Sequence, residues 1–362
     1  MEFHENNSLL SNITNDDSFL SLWGTPGAIY RSTLMLLTAI LSILGNALCV
    51  WVLPRTKNIP ENNRLFLISL SVADFGIGVG TLIYVAPAIA GQWIYNHGMC
   101  VALCCAISIF SGVSKNSLLS LSADRYLAIM KPFQYPMCMM WITRKRVLFL
   151  IGYIWFLDTV IVSVLFTPVL GPPIVYRPYA AVCVPALSDP HFSIQSFCTG
   201  LFVFIIPLII IVFIYFRLYR ITVEQLRSIQ SHQVYSEEDK KQKKSLRGEG
   251  KAIRMFTAVT LTFAIAWMPY AIALPAVAFA KLPLPPNLEF FVYWLALSGS
   301  WFDAVTLALM NTGFRKTTRK ELEKLTASCG CSKLASNVAP PEETVNNSSS
   351  NGGGRTLDTN VP

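Results

Sequence analysis

The chain has 362 residues, of which 53% are hydrophobic and only 14% are charged, and its mean hydropathy is +0.47. Soluble globular domains carry about 25% charged residues, so this composition excludes an ordinary water-soluble domain and favours a protein that lies in lipid. The net charge of +8 would suit a nucleic-acid partner, but the positions of the basic residues, described below, exclude that class.

Seven apolar runs are each long enough to cross a bilayer as a helix, which takes about 20 residues. Backbone groups in lipid need hydrogen-bond partners within their own segment, so helices are expected rather than open strands. We therefore predict an all-α membrane protein, a seven-transmembrane helix bundle. The runs, numbered spans one to seven, are 32–53, 65–89, 100–130, 147–169, 197–216, 256–280 and 290–310.

The basic residues predict the direction in which the chain crosses the membrane. Lysines and arginines crowd the connections after spans one, three and five and the segment after span seven. The other side holds only Arg31, Arg177 and Lys281. Because short loops rich in lysine and arginine stay in the cytoplasm, we expect a multi-pass plasma-membrane protein with its N-terminus outside and its C-terminus inside. The same bias accounts for the net charge without any nucleic acid.

The segments at the two ends are predicted to lie outside the bundle. We expect an extracellular segment (1–30), a seven-transmembrane domain (31–325) and a disordered cytoplasmic tail (326–362), whose later part is rich in Pro, Asn, Ser and Gly. Asn6 and Asn12 begin Asn-x-Ser/Thr triplets on the outer side, where glycosylation occurs.

A short amphipathic helix is predicted after span seven, from about residue 312 to residue 325. Its apolar side chains can face lipid while its basic side chains meet anionic head groups. Cys329 and Cys331 follow it and are candidate palmitoylation sites. The alternative is two unmodified thiols at the start of the tail.

Two cysteines lie on the predicted outer side. Cys100 opens span three, and Cys183 lies in the loop between spans four and five. Both face the oxidising side of the membrane, which favours a disulfide that pins this loop over span three. The alternative is a pair of free thiols.

Short motifs recur span by span. Spans one to three contain GNALCV, LSVAD and ADRYLAIMKPFQY, and span four carries a lone Trp155. Span five contains FIIPLIIIVFIY and span six FAIAWMPY. Each resembles the matching signature of rhodopsin-type (class A) G-protein-coupled receptors, in the same order and over residues 45–315. The resemblance implies a receptor that transduces an extracellular ligand signal to a heterotrimeric G protein.

The resemblance assigns G-protein coupling to Asp124, Arg125 and Tyr126 at the cytoplasmic end of span three. In the family, the arginine beside the aspartate holds the inactive state. Glu249, at the foot of span six, matches the position that pairs with this arginine. The alternative is a solvated charge cluster at the membrane edge.

The resemblance also implies an activation relay. Pro207 and Pro269 each remove a helical hydrogen bond, in spans five and six, and in the family these kinks let span six swing outward and open a cytoplasmic cleft. Phe263 and Trp267, one turn apart, match the aromatic pair that relays ligand contact. Plain core packing is the alternative for this pair.

Asp74 is a carboxylate in mid-membrane, where charge is costly and points to a function. Together with Asn46, Ser114 and Asp303 it matches the internal sodium pocket of the family, and oxygen ligands suit a hard cation. No cofactor is expected besides this structural sodium ion.

The chain departs from the family pattern in span seven. The expected ending resembles Asn-Pro-x-x-Tyr, but the matching stretch begins at Asp303, with Ala304 in place of the proline and Leu307 in place of the tyrosine. These changes put ordinary activation in doubt and support a second hypothesis. In that hypothesis the chain has the receptor fold but weak or no G-protein coupling, and acts as a decoy or dimer partner.

Lys115 is a second departure, because the family keeps an aliphatic residue at this place in span three. Successive helical residues are rotated by about 100°, so Lys115 should point away from the pocket that Ser114 lines, toward spans four to six. Asp158 in span four is then its best candidate partner, ahead of Asp74 and Asp303. The alternative is a neutral, buried lysine. We assign Lys115 to the activation relay.

The ligand pocket inferred from the resemblance excludes two ligand classes. Amine receptors keep an aspartate where this chain has Ile107, and opsins need a lysine where it has Leu297, so neither a biogenic amine nor retinal is expected. Spans two and three weakly resemble adenosine receptors. The wall suits a neutral or lipid-like ligand, or part of a peptide. The predicted pocket residues are Tyr84, Ile107, Ser108, Ser111, Trp267, Tyr270, Leu274 and Tyr293.

The sequence therefore predicts a G-protein-coupled receptor whose partners are a G protein, the bilayer and an extracellular ligand. A transporter is less favoured, because neither inverted repeats nor broken helices are evident. No catalytic motif such as GxSxG or HExxH occurs in a suitable context, so an enzyme is not expected.

Overall fold

A bundle of long helices forms the bulk of the described structure. Five helices are long and apolar enough to cross a membrane within the described residues, and they correspond to spans one to four and span seven. A shorter apolar helix, Thr257–Ala273, lies in span six. The computed structural model describes residues 25–130, 143–166, 171–186, 254–255, 257–273, 277 and 284–328, together with helical positions 201, 205–207, 209–214, 216–217 and 220–221 around span five.

The helices begin a few residues before the predicted spans, because the more polar residues ahead of each apolar run are helical too. In chain order they are Thr25–Val52, Glu61–Ala90, His97–Met130, Arg144–Leu165 and Pro286–Met310. A 3-10 turn, Leu53–Arg55, follows the first helix. The predicted end of span four at residue 169 is wrong, since the helix ends at Leu165. Pro168 follows in the sequence, and proline disfavours a helical conformation in the residue before it.

Proline and glycine set several helix ends. Pro60 caps the start of span two, and Pro285 and Pro286 open span seven, where the missing N–H costs nothing. Gly91 ends span two with a φ of 68°, a left-handed conformation that glycine adopts without strain.

A β-hairpin, which the sequence analysis missed, stands between spans four and five. Strand β1 (Ile174–Arg177) pairs antiparallel with strand β2 (Val182–Pro185), with Tyr176 opposite Cys183. Both strands are rich in β-branched and aromatic residues, which favour a half-buried sheet. Ala181 closes the turn with a φ of 55°.

The apolar side chains divide between an interior and a lipid-facing surface. One core cluster surrounds the hairpin and contains Tyr84, Phe290 and Trp294, while a larger one lies in the other half of the bundle. Large apolar residues on the outer surface, such as Phe149 and Ile265, are 77% and 65% exposed. In water such a surface would aggregate, whereas hydrocarbon solvates it.

The predicted helix after span seven is present as Thr312–Ser328. The Asn311 side chain accepts a hydrogen bond from the Phe314 amide at 2.9 Å, and Phe314 is buried in the core. The chain forms two compact units, 1–318 and 319–362. Residues 25–30 and 326–328 are helical, and the predicted segment boundaries at residues 30 and 325 stay predictions.

Candidate functional site

A cavity of about 380 Å³ lies beneath the hairpin, bordered by spans two to seven. Its wall contains seven of the eight residues predicted for the ligand pocket. Leu274, the eighth, lies outside the described residues. Leu297, at the position where opsins carry a lysine, also lines the cavity. The seven residues are Tyr84, Ile107, Ser108, Ser111, Trp267, Tyr270 and Tyr293.

The hairpin covers the cavity and is attached to several spans. The predicted disulfide between Cys100 and Cys183 is present and ties strand β2 to the start of span three. The Cys183 amide donates to the Tyr84 hydroxyl of span two at 3.3 Å. From span seven, Trp294 Nε1 donates to the Ala180 carbonyl at 2.7 Å.

Two arginines add charged attachments at the same end of the bundle. Arg31 of span one is 3% exposed and donates to the Tyr179 carbonyl and to Asn287 Oδ1, each at 2.8 Å. Arg177 Nε lies 3.2 Å from Glu289 Oε1 of span seven. The hairpin is thus held by spans one, two, three and seven.

Aromatic rings lead from the cavity toward the opposite end of the bundle. The ring centroids of Tyr293 and Tyr270 are 5.2 Å apart, those of Tyr270 and Trp267 5.8 Å, and those of Trp267 and Phe263 5.8 Å. Phe263 and Trp267 belong to the larger core cluster, against which Tyr126 also packs. Pro207 lines the cavity from span five, and Pro269 lies within the span-six helix.

A polar cluster lies on the side of the cavity formed by spans three and four. Lys115 and Asp158 are 4% and 7% exposed, both line the cavity, and their charges are close enough to interact. Asn116 Nδ2 donates to the two Asp158 oxygens at 3.1 and 3.0 Å. Gly112 makes room for this carboxylate, because a Cβ there would lie 2.7 Å from Asp158 Oδ1. Whether Lys115 and Asp158 form an ion pair stays a prediction.

Two further carboxylates lie together in the interior. Asp74 and Asp303 are 1% and 4% exposed, and their side-chain oxygens accept no hydrogen bond of normal geometry from the described residues. Ser114 lies beside Asp74. Asn46 directs its amide nitrogen to the carbonyls of Ser42 and Ser300, both at 2.9 Å, which leaves its oxygen for other contacts. Oxygen donors of this kind fit a hard cation.

Arg125 lies at the end of the bundle opposite the hairpin. Its Nη2 is 2.6 Å from Asp124 Oδ2 and donates to Asn63 Oδ1 at 2.8 Å. The Asp124 side chain is 5% exposed and that of Arg125 15%. The guanidinium is therefore held by its own helix and by the start of span two.

The sequence matches the family described as 7 transmembrane receptor (rhodopsin family) over residues 45–305. The chain belongs to this family. It is thus a multi-pass membrane receptor of the seven-helix fold that binds a ligand and couples to G proteins, and it is not an enzyme.

The similar proteins are named after different ligands. The receptor is 25% identical to galanin receptor 2b of Danio rerio, over 85% of this chain and 79% of that protein. It is 26% identical to a Gq-coupled rhodopsin of Mizuhopecten yessoensis, over 81% of this chain and 59% of that protein. An octopamine receptor of Bombyx mori is 32% identical over 55% of this chain and 40% of that protein.

Several predicted sites of the receptor lie outside the described residues: Asn6, Asn12, Glu249, Cys329 and Cys331.

Sequence reasoning also missed contacts that the structure shows. Asn63 and Asn116 belong to no motif, and only their contacts reveal them. Arg31 and Arg177 did carry a signal, since lysine and arginine are scarce on their side of the membrane.

Proposed function

We propose that the receptor senses a ligand in the cavity beneath the hairpin and passes the signal to a G protein by outward movement of span six. The observation that carries this proposal is the series of ring contacts from Tyr293 to Phe263. A ligand that displaces Tyr270 or Trp267 must disturb their neighbours, because packed rings move together. Pro207 and Pro269 are the points at which spans five and six can bend.

The hairpin end is proposed to be extracellular and the Arg125 end cytoplasmic. Support comes from the loop charges and from the disulfide, which forms on the oxidising side. Epitope tags at the two termini, stained with and without permeabilisation, test this orientation. Surface staining of a C-terminal tag would contradict it, and so would a glycosidase shift that persists in a double Asn6→Gln and Asn12→Gln variant.

Arg125 is proposed to act as the coupling residue. Among the described residues, Asp124 and Asn63 hold its guanidinium. Glu249, which lies outside the described residues, is proposed as a further acceptor at the foot of span six. Movement of span six would remove the Glu249 contact and free Arg125 for the G protein.

The test is ligand-independent nucleotide exchange with each class of G protein. Arg125→Ala should abolish basal exchange while surface expression stays intact. Arg144→Ala is a matched control, because Arg144 is 67% exposed and pairs only at the surface with Glu61. Equal exchange in both variants would contradict the assignment.

A second candidate function rests on span seven. The helix runs from Pro286 to Met310 without an internal proline, and Ala304 packs near Gly45, where a Cβ would lie 3.1 Å away. Leu307 is buried and has no hydroxyl. These features favour a receptor-fold protein with weak coupling. This function predicts that the wild-type protein reaches the cell surface but activates no G-protein class. It also predicts that nucleotide exchange rises in a double variant, Ala304→Pro with Leu307→Tyr.

Asp74, Asp303, Ser114 and Asn46 are proposed to hold a sodium ion. Two interacting buried carboxylates, which accept no hydrogen bond of normal geometry from the described residues, support this, since a cation would compensate their charge. The names of the relatives suggest different ligands. Ile107 argues against an amine and Leu297 against retinal, which leaves a neutral or lipid-like ligand, or part of a peptide.

A further inference from the structure

The charged side of the cavity restricts what the ligand head group can be. Among the described residues that line the cavity, Lys115 and Asp158 are the only lysine, arginine, aspartate or glutamate. One is a cation and the other an anion when ionised, so their charges sum to zero. A further full charge beside them would be buried without a counter-ion, which is costly in a low-dielectric site.

The pair nevertheless offers hydrogen bonds to a ligand. An ammonium has three N–H donors and a carboxylate has about four lone-pair positions. Lys115 and Asp158 can therefore contact each other, and Asp158 can contact Asn116, while both still have hydrogen-bonding capacity left for one ligand group. A group that both accepts and donates satisfies the two sides at once. Primary amides and hydroxyl groups have this property, whereas an ester or a quaternary ammonium does not.

The remainder of the span-four wall is apolar. Leu157, Ile161, Val162 and Leu165 of span four line the cavity. The hairpin covers one end of the cavity. A ligand with a long apolar chain can therefore lie along span four.

We propose that the receptor binds an uncharged amphiphile, a long-chain primary amide or alcohol, with its head group between Lys115 and Asp158 and its chain along span four. The inference rests on the proposed function in placing the ligand in this cavity. It adds the chemical class of the ligand and the residues that select it.

Binding to the purified receptor in lipid nanodiscs tests the class. Radiolabelled oleamide should bind saturably. Unlabelled oleyl alcohol should displace the oleamide at least about tenfold better than oleyl sulfonate or oleyl trimethylammonium. The reason is that loss of one hydrogen bond to a charged group lowers the affinity by about a factor of ten or more. Absence of saturable oleamide binding, or equal displacement by a charged compound, overturns the proposal.

Two variants separate head-group selection from a structural role. Asp158→Asn leaves the Lys115 ammonium without the carboxylate, so the receptor should then prefer oleyl sulfonate. Lys115→Met leaves the carboxylate and should favour the trimethylammonium. Lys145→Met, the same substitution at an exposed position in the first turn of the helix Arg144–Leu165, should leave the preference unchanged. Variants that bind more weakly but keep the wild-type order of preference overturn the assignment.

The binding assay contains no G protein, so the ligand class and the signalling proposal can fail separately. Selective oleamide binding without nucleotide exchange would refute the signalling proposal alone. Exchange that is intact while oleamide fails to bind would refute the ligand class alone.

Discussion

Removal of the Cys100–Cys183 disulfide should destabilise the receptor through the hairpin. The two cysteines are 83 residues apart, and the loop-closure relation for that separation gives about 4.5 kcal/mol at 25 °C. The intervening spans stay inserted in lipid and restrict the open loop, so the loss should be smaller, about 2–4 kcal/mol. The contacts of Arg31, Trp294 and Arg177 with the hairpin remain and should leave it partly docked.

Thermal unfolding of the purified receptor and surface expression in cells measure this effect. Cys100→Ser and Cys183→Ser should each lower the melting temperature by the same amount, and the double variant should be no worse, because either change removes the same bond. Cys105→Ser is the matched control, since Cys105 is a half-buried free thiol on the same helix. Additive losses in the double variant would refute the reasoning, and so would a loss in the control as large as in the single variants.

Three further predictions follow from the interior charges and the tail. Asp74→Asn should abolish the rise in melting temperature that sodium chloride gives over N-methylglucamine chloride, and a retained sodium effect would contradict the site. Lys115→Met should lower surface expression, because removing one partner of a buried pair costs about 3–5 kcal/mol. Asp158→Leu added to it should restore expression, whereas a loss equal to the sum of the single changes would rule out the pair. Combined Cys329→Ser and Cys331→Ser changes should remove hydroxylamine-sensitive palmitate label, and label that persists would reject both sites.

The spans could be predicted because lipid imposes a length and a composition on every crossing segment. The residues of the cavity could also be predicted, because the positions of the motifs determine which face of each helix points inward. Tyr84, Trp267 and Tyr293 meet there although they are distant in sequence.

The hairpin and its attachments could not be predicted in the same way. Strands of four residues between long helices produce no periodic signal strong enough to compete with a loop. The partner of Arg31 depends on which backbone carbonyl the folded hairpin presents, and that is a tertiary property. For Lys115, helical rotation gave the direction of the side chain, but the role of Asn116 became visible only through its contacts with Asp158.

The attachment made by Arg31 has a consequence for how the receptor is assembled during synthesis. Its acceptor Asn287 lies 256 residues later in the chain. At roughly 5–20 residues per second, that distance corresponds to about 13–50 s of translation. The Tyr179 carbonyl, its other acceptor, is only 148 residues later, so for part of this interval Arg31 can bind the hairpin but not the last helix. The contact that joins the first helix, the hairpin and the last helix therefore forms late, so full attachment of the hairpin marks a nascent receptor whose synthesis has reached its final span.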